Sequence, residues 1–389
     1  MKHDADTPPI LRLGFRPFFL AAGIWATAAI AVWLPLFHGS ITLPTSFDPI
    51  AWHVHEMLFG YVAAVVAGFL LTAIPNWTGR LPLQGPPLAA LVFLWLAGRV
   101  AVLASGHIGG LAVAIVDLSF PAALLAAVVR EIVAGRNWRN LPMPLALAVL
   151  LTANALTHME AMGLAPTGAI GQRLGIATII LLISVVGGRI IPSFTRNWLA
   201  KRGEARLPVG FNRFDKACVL LVLAALLCWV ALPESMASGA MLAAAGLASL
   251  ARLARWRGHR SLSEPLVWSL HLGFAWLPTG LVLTGLSALS DIVPPAAGLH
   301  ALTAGAMGSM TLAVMTRASL GHSNRELAAD RTTTAIYLLV FAAAALRVAA
   351  AFAGDFSPTL LWGSAAAWTI AFGLFVIHYG AVLLARGKG

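Results

Sequence analysis

Five short segments carry the residues able to do chemistry: WHVHEM at 52–57, NALTHMEAM at 154–162, HLGFAW at 271–276, LHALTAGAMG at 299–308 and LGHSNR at 320–325. They supply His53, His55, His158, His271, His300 and His322, with Glu56 and Glu160 beside them. Neutral imidazoles with nearby carboxylates suit copper, iron or zinc, for which His is the commonest ligand. His53 and His55 are two apart, about 200° around a regular helix, so they share one metal only where the helix start is distorted. Otherwise one binds a metal while the other serves a second site. Glu56, three residues after His53, is placed to orient that ring as a hydrogen-bond acceptor. Cys218 and Cys228 are the only cysteines and both fall in an apolar run, with no CxxC. A disulfide framework, a zinc ribbon and covalently attached haem are thereby excluded.

The elements that must position these residues are transmembrane helices. Of 389 residues, 59% are hydrophobic and 11% charged, against the quarter or so charged that a soluble domain needs. Mean hydropathy is +0.84. Apolar runs long enough to cross about 30 Å of hydrocarbon lie near 18–37, 52–74, 87–105, 109–130, 142–160, 170–192, 214–233, 235–252, 264–286, 295–317, 332–353 and 357–384. They are continuous, without period-2 alternation, so helices are expected and not a barrel. Prolines 44, 49, 75, 86–87, 142–144, 208, 294–295 and 358 mark the connections. The expectation is an all-α polytopic protein of twelve spans forming a single integral-membrane domain over 1–389, with 1–17 as an N-terminal tail.

Charge sets the orientation. With both termini cytoplasmic, 23 of the 26 Lys and Arg residues fall on the cytoplasmic side, Arg173 alone falls opposite, and Arg99 and Arg347 lie within spans. That asymmetry is the positive-inside pattern of a bacterial inner-membrane protein. The net charge of +11 is dispersed between apolar runs, which excludes a nucleic-acid-binding patch. Spans two, six and ten begin about four helices apart, and their ends read IPNWTGR, GGRIIPSFTRNW and AVMTRASLGH, which would suit three four-helix units.

This orientation brings His53, His55, His158 and His300, from three helices, to one layer near the periplasmic face. His271 lies about 10 Å from the cytoplasmic end of its span. Titratable groups inside a bilayer are costly and each is a functional candidate. A single intramembrane His is more often a hydrogen-bonded packing residue, and His38, His107, His259 and His378 are read that way. Asp117 and Arg99 are placed to pair, which is as often structural as functional. The small residues Ala304, Gly305, Ala306, Gly308 and Ser309 admit a flat ligand, or simply tight helix packing.

The chain resembles the NnrS family of bacterial membrane proteins of the nitric-oxide response. The resemblance is carried by GFRPFFL at 14–20, WHVHEMLFGYVAAVVAGFLLTAIPNWTGR at 52–80, GGRIIPSFT at 187–195, HLGFAWLP at 271–278 and LHALTAGAMGSMTLAVMTRASLGH at 299–322. It implies a haem- and copper-containing protein that lessens nitric-oxide stress beside denitrification. The motif histidines it carries over are His53, His55, His271, His300 and His322, with His158 a weaker match. Such a haem would be b-type, held by axial His, with Arg16, Arg80, Arg189 and Arg317 as candidate partners of its propionates. A site holding two metals would bind nitric oxide, and reduction of two molecules to N2O would need two protons and two electrons from an electron donor. Glu56 and Glu160 would offer the proton route. The rival readings are a carrier of metal, haem or a small molecule, marked by helices broken near midplane at Gly187–Gly188 and Pro192, and a non-catalytic binder of metal or nitric oxide.

Overall fold

The computed structural model describes residues 7–385; the basic tail residues Lys2, Arg386 and Lys388, and the first six residues of the tail expected over 1–17, lie outside them. Among the described residues twelve helices are long and apolar enough to cross a membrane. In chain order they are α1 (Phe15–Phe37), α2 (Pro49–Thr78), α3 (Pro86–Leu103), α4 (Gly110–Ala134), α5 (Trp138–Ala161) and α6 (Gly168–Lys201). They continue as α7 (Arg213–Ala231), α8 (Met236–Arg260), α9 (Pro265–Leu289), α10 (Pro295–Gly321), α11 (Arg331–Ala350) and α12 (Gly354–Leu384). No strand occurs among the described residues, and the protein is a multi-pass, all-α membrane protein.

Local signals explain the boundaries. Pro49, Pro86, Pro265 and Pro295 open helices in the first turn, where the missing N–H has no partner to lose. Asp48, Asn212 and Asp330 cap α2, α7 and α11 with side-chain oxygens, taking up N–H groups the first turn leaves over. Gly79 ends α2 at φ +70°, a conformation that suits glycine. Two helices outrun the sequence reading, α2 through Pro75 to Thr78 and α6 through Pro192 to Lys201. In a bilayer, neighbouring helices and hydroxyls take up the carbonyls such prolines free, so the breaker does not end the span.

Contacts divide the chain into two compact units. The first runs to Gly175 and includes Ala318–Arg325 and the chain from Phe375 onward. In it α1 packs on α2, and α4 packs on α2, α3 and α5. The second comprises Ile176–Arg317 and Glu326–Leu374. In it α8 packs on α7 and α9, and α10 packs on α9 and α11.

Three spans widen into π-helical turns: α2 at Glu56–Val62, α6 at Ile183–Gly187 and α10 at Ala301–Gly308. These are the spans that the sequence pairs at four-helix intervals. A π-turn breaks the regular ladder of backbone bonds, and in two of them a carbonyl is claimed by another helix. Gly60 accepts from Trp95 Nε1 at 2.9 Å. Ser184 accepts from Arg252 Nη1 at 2.9 Å, and Asp215 holds Arg252 Nε at 2.9 Å.

Small residues let α8 and α9 touch backbone to backbone. A side-chain carbon on Gly285 would lie 2.6 Å from the Gly239 carbonyl oxygen and 2.8 Å from the Ala243 nitrogen. Backbone cannot swing aside, so Gly285→Val must separate the helices, at the roughly 1–3 kcal/mol typical of overpacking. We expect this variant to lose its monodisperse chromatographic peak several degrees below wild type on heating in detergent. Gly363→Ala, where the nearest atom is 3.5 Å away, should melt with wild type. Equal melting of Gly285→Val would refute the close contact.

Candidate metal centre

The first turns of α2 are shaped by their surroundings before any ligand is considered. Asp48 accepts from the backbone N–H of Ile50 and Ala51 at 2.9 and 3.0 Å. Trp33 Nε1 donates to the Pro49 carbonyl at 3.0 Å. The helix so anchored turns His55 and Glu56 inward, where they are 1% and 0% exposed. The π-turn begins at Glu56.

Arg99 of α3 sits against them, a guanidinium forked between two carboxylates. Its Nη1 donates to Glu56 Oε1 at 2.6 Å, and its Nη2 donates to Asp117 Oδ1 of α4. Gly98 makes the fork possible. A carbon added there would lie 3.2 Å from the Asp117 Cα and closer still to its carboxylate, so any larger residue would push α4 away. From α5, Asn154 Nδ2 donates to Asp117 Oδ2 at 2.7 Å, and His158 Nε2 stands 3.0 Å from the same oxygen. His55 Nε2 lies 3.2 Å from Asp117 Oδ2 and 2.9 Å from Asn154 Oδ1, while its Nδ1 lies 3.0 Å from Glu56 Oε1. Every one of these side chains is buried. The rings of Phe47 and Phe59 lie 5.3 and 5.4 Å from His55, so the polar cluster has apolar walls.

His55, Asp117 and His158 each place one ligand atom within 4.8 Å of the other two. Metal bonds of about 2.0–2.2 Å from nitrogen and carboxylate bring three such atoms round one ion with small side-chain movements. The partners behind the ligands are also in place. Glu56 stands behind His55, and Arg99 behind Asp117, as acceptors and donors stand behind metal ligands generally. Two histidines and one carboxylate suit iron, copper or zinc. Charge favours a cation too. Glu56 and Asp117 bring two negative charges and Arg99 one positive, and a buried charge left uncompensated is expensive. A cation bound among these groups would offset the second carboxylate.

The remaining sequence candidates have other settings. His53 stacks on Trp33, with ring centroids 4.1 Å apart, and is not one of the three residues whose ligand atoms converge; the ring that Glu56 Oε1 meets, at 3.0 Å, is that of His55. Glu160 is exposed and accepts from the Gly168 N–H at the start of α6, so it caps a helix. His322 is exposed, its ring 5.6 Å from that of Phe15. In the second unit, the Thr195 hydroxyl donates to the Ile191 carbonyl at 2.8 Å and lies 2.8 Å from His271 Nε2, so that nitrogen is the donor between them. His300 Nδ1 donates to the Ala296 carbonyl at 2.8 Å, which puts the ring's lone pair on Nε2. Arg16 donates to the Leu383 and Ala385 carbonyls at the end of α12. Arg80 pairs with Glu131 at 2.5 Å, Arg317 lies 3.9 Å over the Phe194 ring, and Arg189 is exposed. In α10 the spaces over Gly305 and Gly308 are filled by the indoles of Trp276 and Trp368, which is tight helix packing.

Asp117, Arg99 and Asn154 complete the centre: the Asp117–Arg99 pair expected from the sequence is present, while their place beside the histidines, and Asn154 altogether, were not expected. The available signal was charge: Asp117 is the one acid within its apolar run, and Arg99 one of two arginines within spans. Arg99→Met leaves two buried carboxylates facing each other, a loss of about 3–5 kcal/mol. Its folded yield and thermal midpoint should fall sharply, and adding Glu56→Gln should recover part of the loss. An Arg99→Met protein as stable as wild type would mean the fork carries no charge.

Among curated proteins none matches the chain. The family model described as NnrS protein matches residues 9–386, which takes in all twelve helices apart from no more than a few flanking residues. The matched length includes every ligand and supporting residue of the centre, and the chain belongs to the NnrS family.

Proposed function

We propose that this protein is a metalloprotein of the bacterial inner membrane that relieves nitric-oxide stress, with His55, Asp117 and His158 holding copper or non-haem iron that binds nitric oxide. The observation that carries the reading is the buried set of two histidines and a carboxylate, with one ligand atom of each within 4.8 Å of the others, beside one guanidinium shared by two carboxylates. The nitric-oxide part rests on family membership and on the donor set, which suits a redox metal. With the basic loops cytoplasmic, the end where α2 and α4 begin faces the periplasm.

A bound metal would supply an open coordination position for the gas. The chain's own residues bind and orient: Glu56 holds the His55 ring, Arg99 holds the second oxygen of Asp117, and Phe47 and Phe59 keep water off the ligands. Reduction, 2 NO + 2 e− + 2 H+ → N2O + H2O, is the enzymatic form of the reading and takes its electrons from an external donor. Haem b comes from the family resemblance. His300, whose Nδ1 donates to the Ala296 carbonyl, would be one of the imidazoles to hold such a group. Arg317 lies 17 residues along the same helix, about 25 Å at 1.5 Å per residue, so it does not meet a haem held there. The carrier reading has less support, because α6 passes Gly187–Gly188 as a continuous helix with a π-turn.

Elemental analysis of detergent-purified protein, loaded anaerobically with copper or iron, tests the metal. Wild type should retain about one ion per chain, Asp117→Ala and His158→Ala should lose it, and His53→Ala should keep it. Glu56→Gln should weaken retention roughly 10–100-fold, the usual effect of removing a partner behind a ligand. Nitric oxide should shift the optical or paramagnetic spectrum of the loaded protein. Retention by the double variant Asp117→Ala/His158→Ala would overturn the centre, and a loaded protein indifferent to nitric oxide would overturn the role.

A further inference from the structure

Asn154 and His158 are four residues apart in α5, which stacks them on one face of the helix. Both are buried, at 1% and 2% exposure. The Asn154 amide is fixed at both of its ends. Asp117 Oδ2 as a carboxylate oxygen only accepts, so Asn154 turns Nδ2 to it, at 2.7 Å. Oδ1 then faces His55 Nε2 at 2.9 Å. The Thr157 hydroxyl is 2.7 Å from the Asn154 backbone carbonyl and 3.4 Å from Oδ1. His55 is therefore the close partner of the amide oxygen.

That contact and a metal ion on His55 exclude one another. Nε2 is the His55 nitrogen turned to the other candidate ligands, 3.2 Å from Asp117 Oδ2, whereas Nδ1 meets Glu56 Oε1 at 3.0 Å. A ring nitrogen bound to a metal carries no proton. Seating an ion on Nε2 thus removes the hydrogen that Oδ1 accepts, and an acceptor buried without its donor is costly. The amide cannot turn round without breaking the Nδ2 bond to Asp117. The positive charge now nearest to Oδ1 is the ion itself, and carbonyl oxygens are ligands of divalent cations.

We propose that the Asn154 amide oxygen is a fourth protein ligand of the centre, joining His55 Nε2, Asp117 Oδ2 and His158 Nε2. The proposal rests on the metal-binding reading above and adds to it a ligand and a preference. Two imidazole nitrogens, a carboxylate oxygen and an amide oxygen form a set without sulfur, which suits ferrous iron better than cuprous copper. Nδ2 keeps its bond to Asp117 in the loaded centre, because one carboxylate oxygen has lone pairs for both a proton and an ion. One side chain thus ligates the ion and orients another of its ligands.

The test is anaerobic retention of iron(II) by the full chain in detergent, comparing wild type with Asn154→Ala and Asn154→Asp. Asn154→Asp keeps an oxygen at the ligand position, and neither variant keeps the N–H that Asp117 accepts. Asn154→Ala should hold iron at least about tenfold more weakly, the least that loss of a supporting partner does. Asn154→Asp should hold it nearly as wild type does. Iron(II) should also raise the thermal midpoint of Asn154→Asp, since an ion bound only by the folded chain stabilises it; this reads the ligand even if the metal-free variant folds poorly. Equal loss from both variants would mean that the amide acts only through its N–H, and full retention by Asn154→Ala would mean that it plays no part. Either result overturns the proposal, as does a wild type that retains copper(I) in place of iron(II). A wild type that retains neither ion overturns the metal centre itself, and this ligand with it.

Discussion

The first unit depends on one shared cation. Arg99 spans the gap between α2 and α4, satisfying Glu56 on one side and Asp117 on the other, in an environment where neither acid could be ionised alone. Because guanidinium is planar and forked, it fixes the angle between the two carboxylates as well as neutralising charge. Asp117 then has one oxygen left over, and His55, Asn154 and His158 all converge on it. Four helices are thus held in register by a single side chain and the two acids it joins. Gly98 belongs to the same constraint, since the fork closes only if α3 and α4 come this near.

Much of this was legible in the sequence. All twelve spans fall where continuous apolar runs put them, because length and hydropathy are all that a lipid environment asks of a helix. Proline was a poorer guide, as α2 and α6 run past Pro75 and Pro192. The histidines were visible as titratable groups in apolar segments, but their partners were not. His53 and His55 look alike in sequence, yet one stacks on Trp33 and the other enters the centre. What separates them is the direction in which the α2 start is anchored, set by Asp48 and Trp33. Glu160, read from the sequence as part of a proton route, caps the next helix. Asp117 carried a signal, an acid inside a span, and its pairing with Arg99 was legible as a pair that is as often structural as functional. The packing of α3 on α4 that places it among the candidate ligands is a tertiary fact.

The three π-turns were out of reach of periodicity altogether. They fall in α2, α6 and α10, the same helices whose ends echo one another in sequence. A turn with one residue too many is costly on its own and survives where something else claims the displaced backbone. Trp95 does so for Gly60, and Arg252, neutralised by Asp215, does so for Ser184. The distortions in α2 and α6 are therefore joints between helices, and in α2 the joint adjoins the candidate metal ligands.

The loop between α1 and α2 adds a matter of time. Thr45 donates to the Val102 carbonyl, Ser46 and Ser105 are joined at 2.8 Å, and Gly106 donates to the Pro44 carbonyl. Phe47 is thereby held against His55 and His158. An ion held beneath that ring would be covered by a loop pinned at three places. Such a cover would bear on how fast an ion exchanges with solution, whereas the affinity would be left to the donor atoms beneath it.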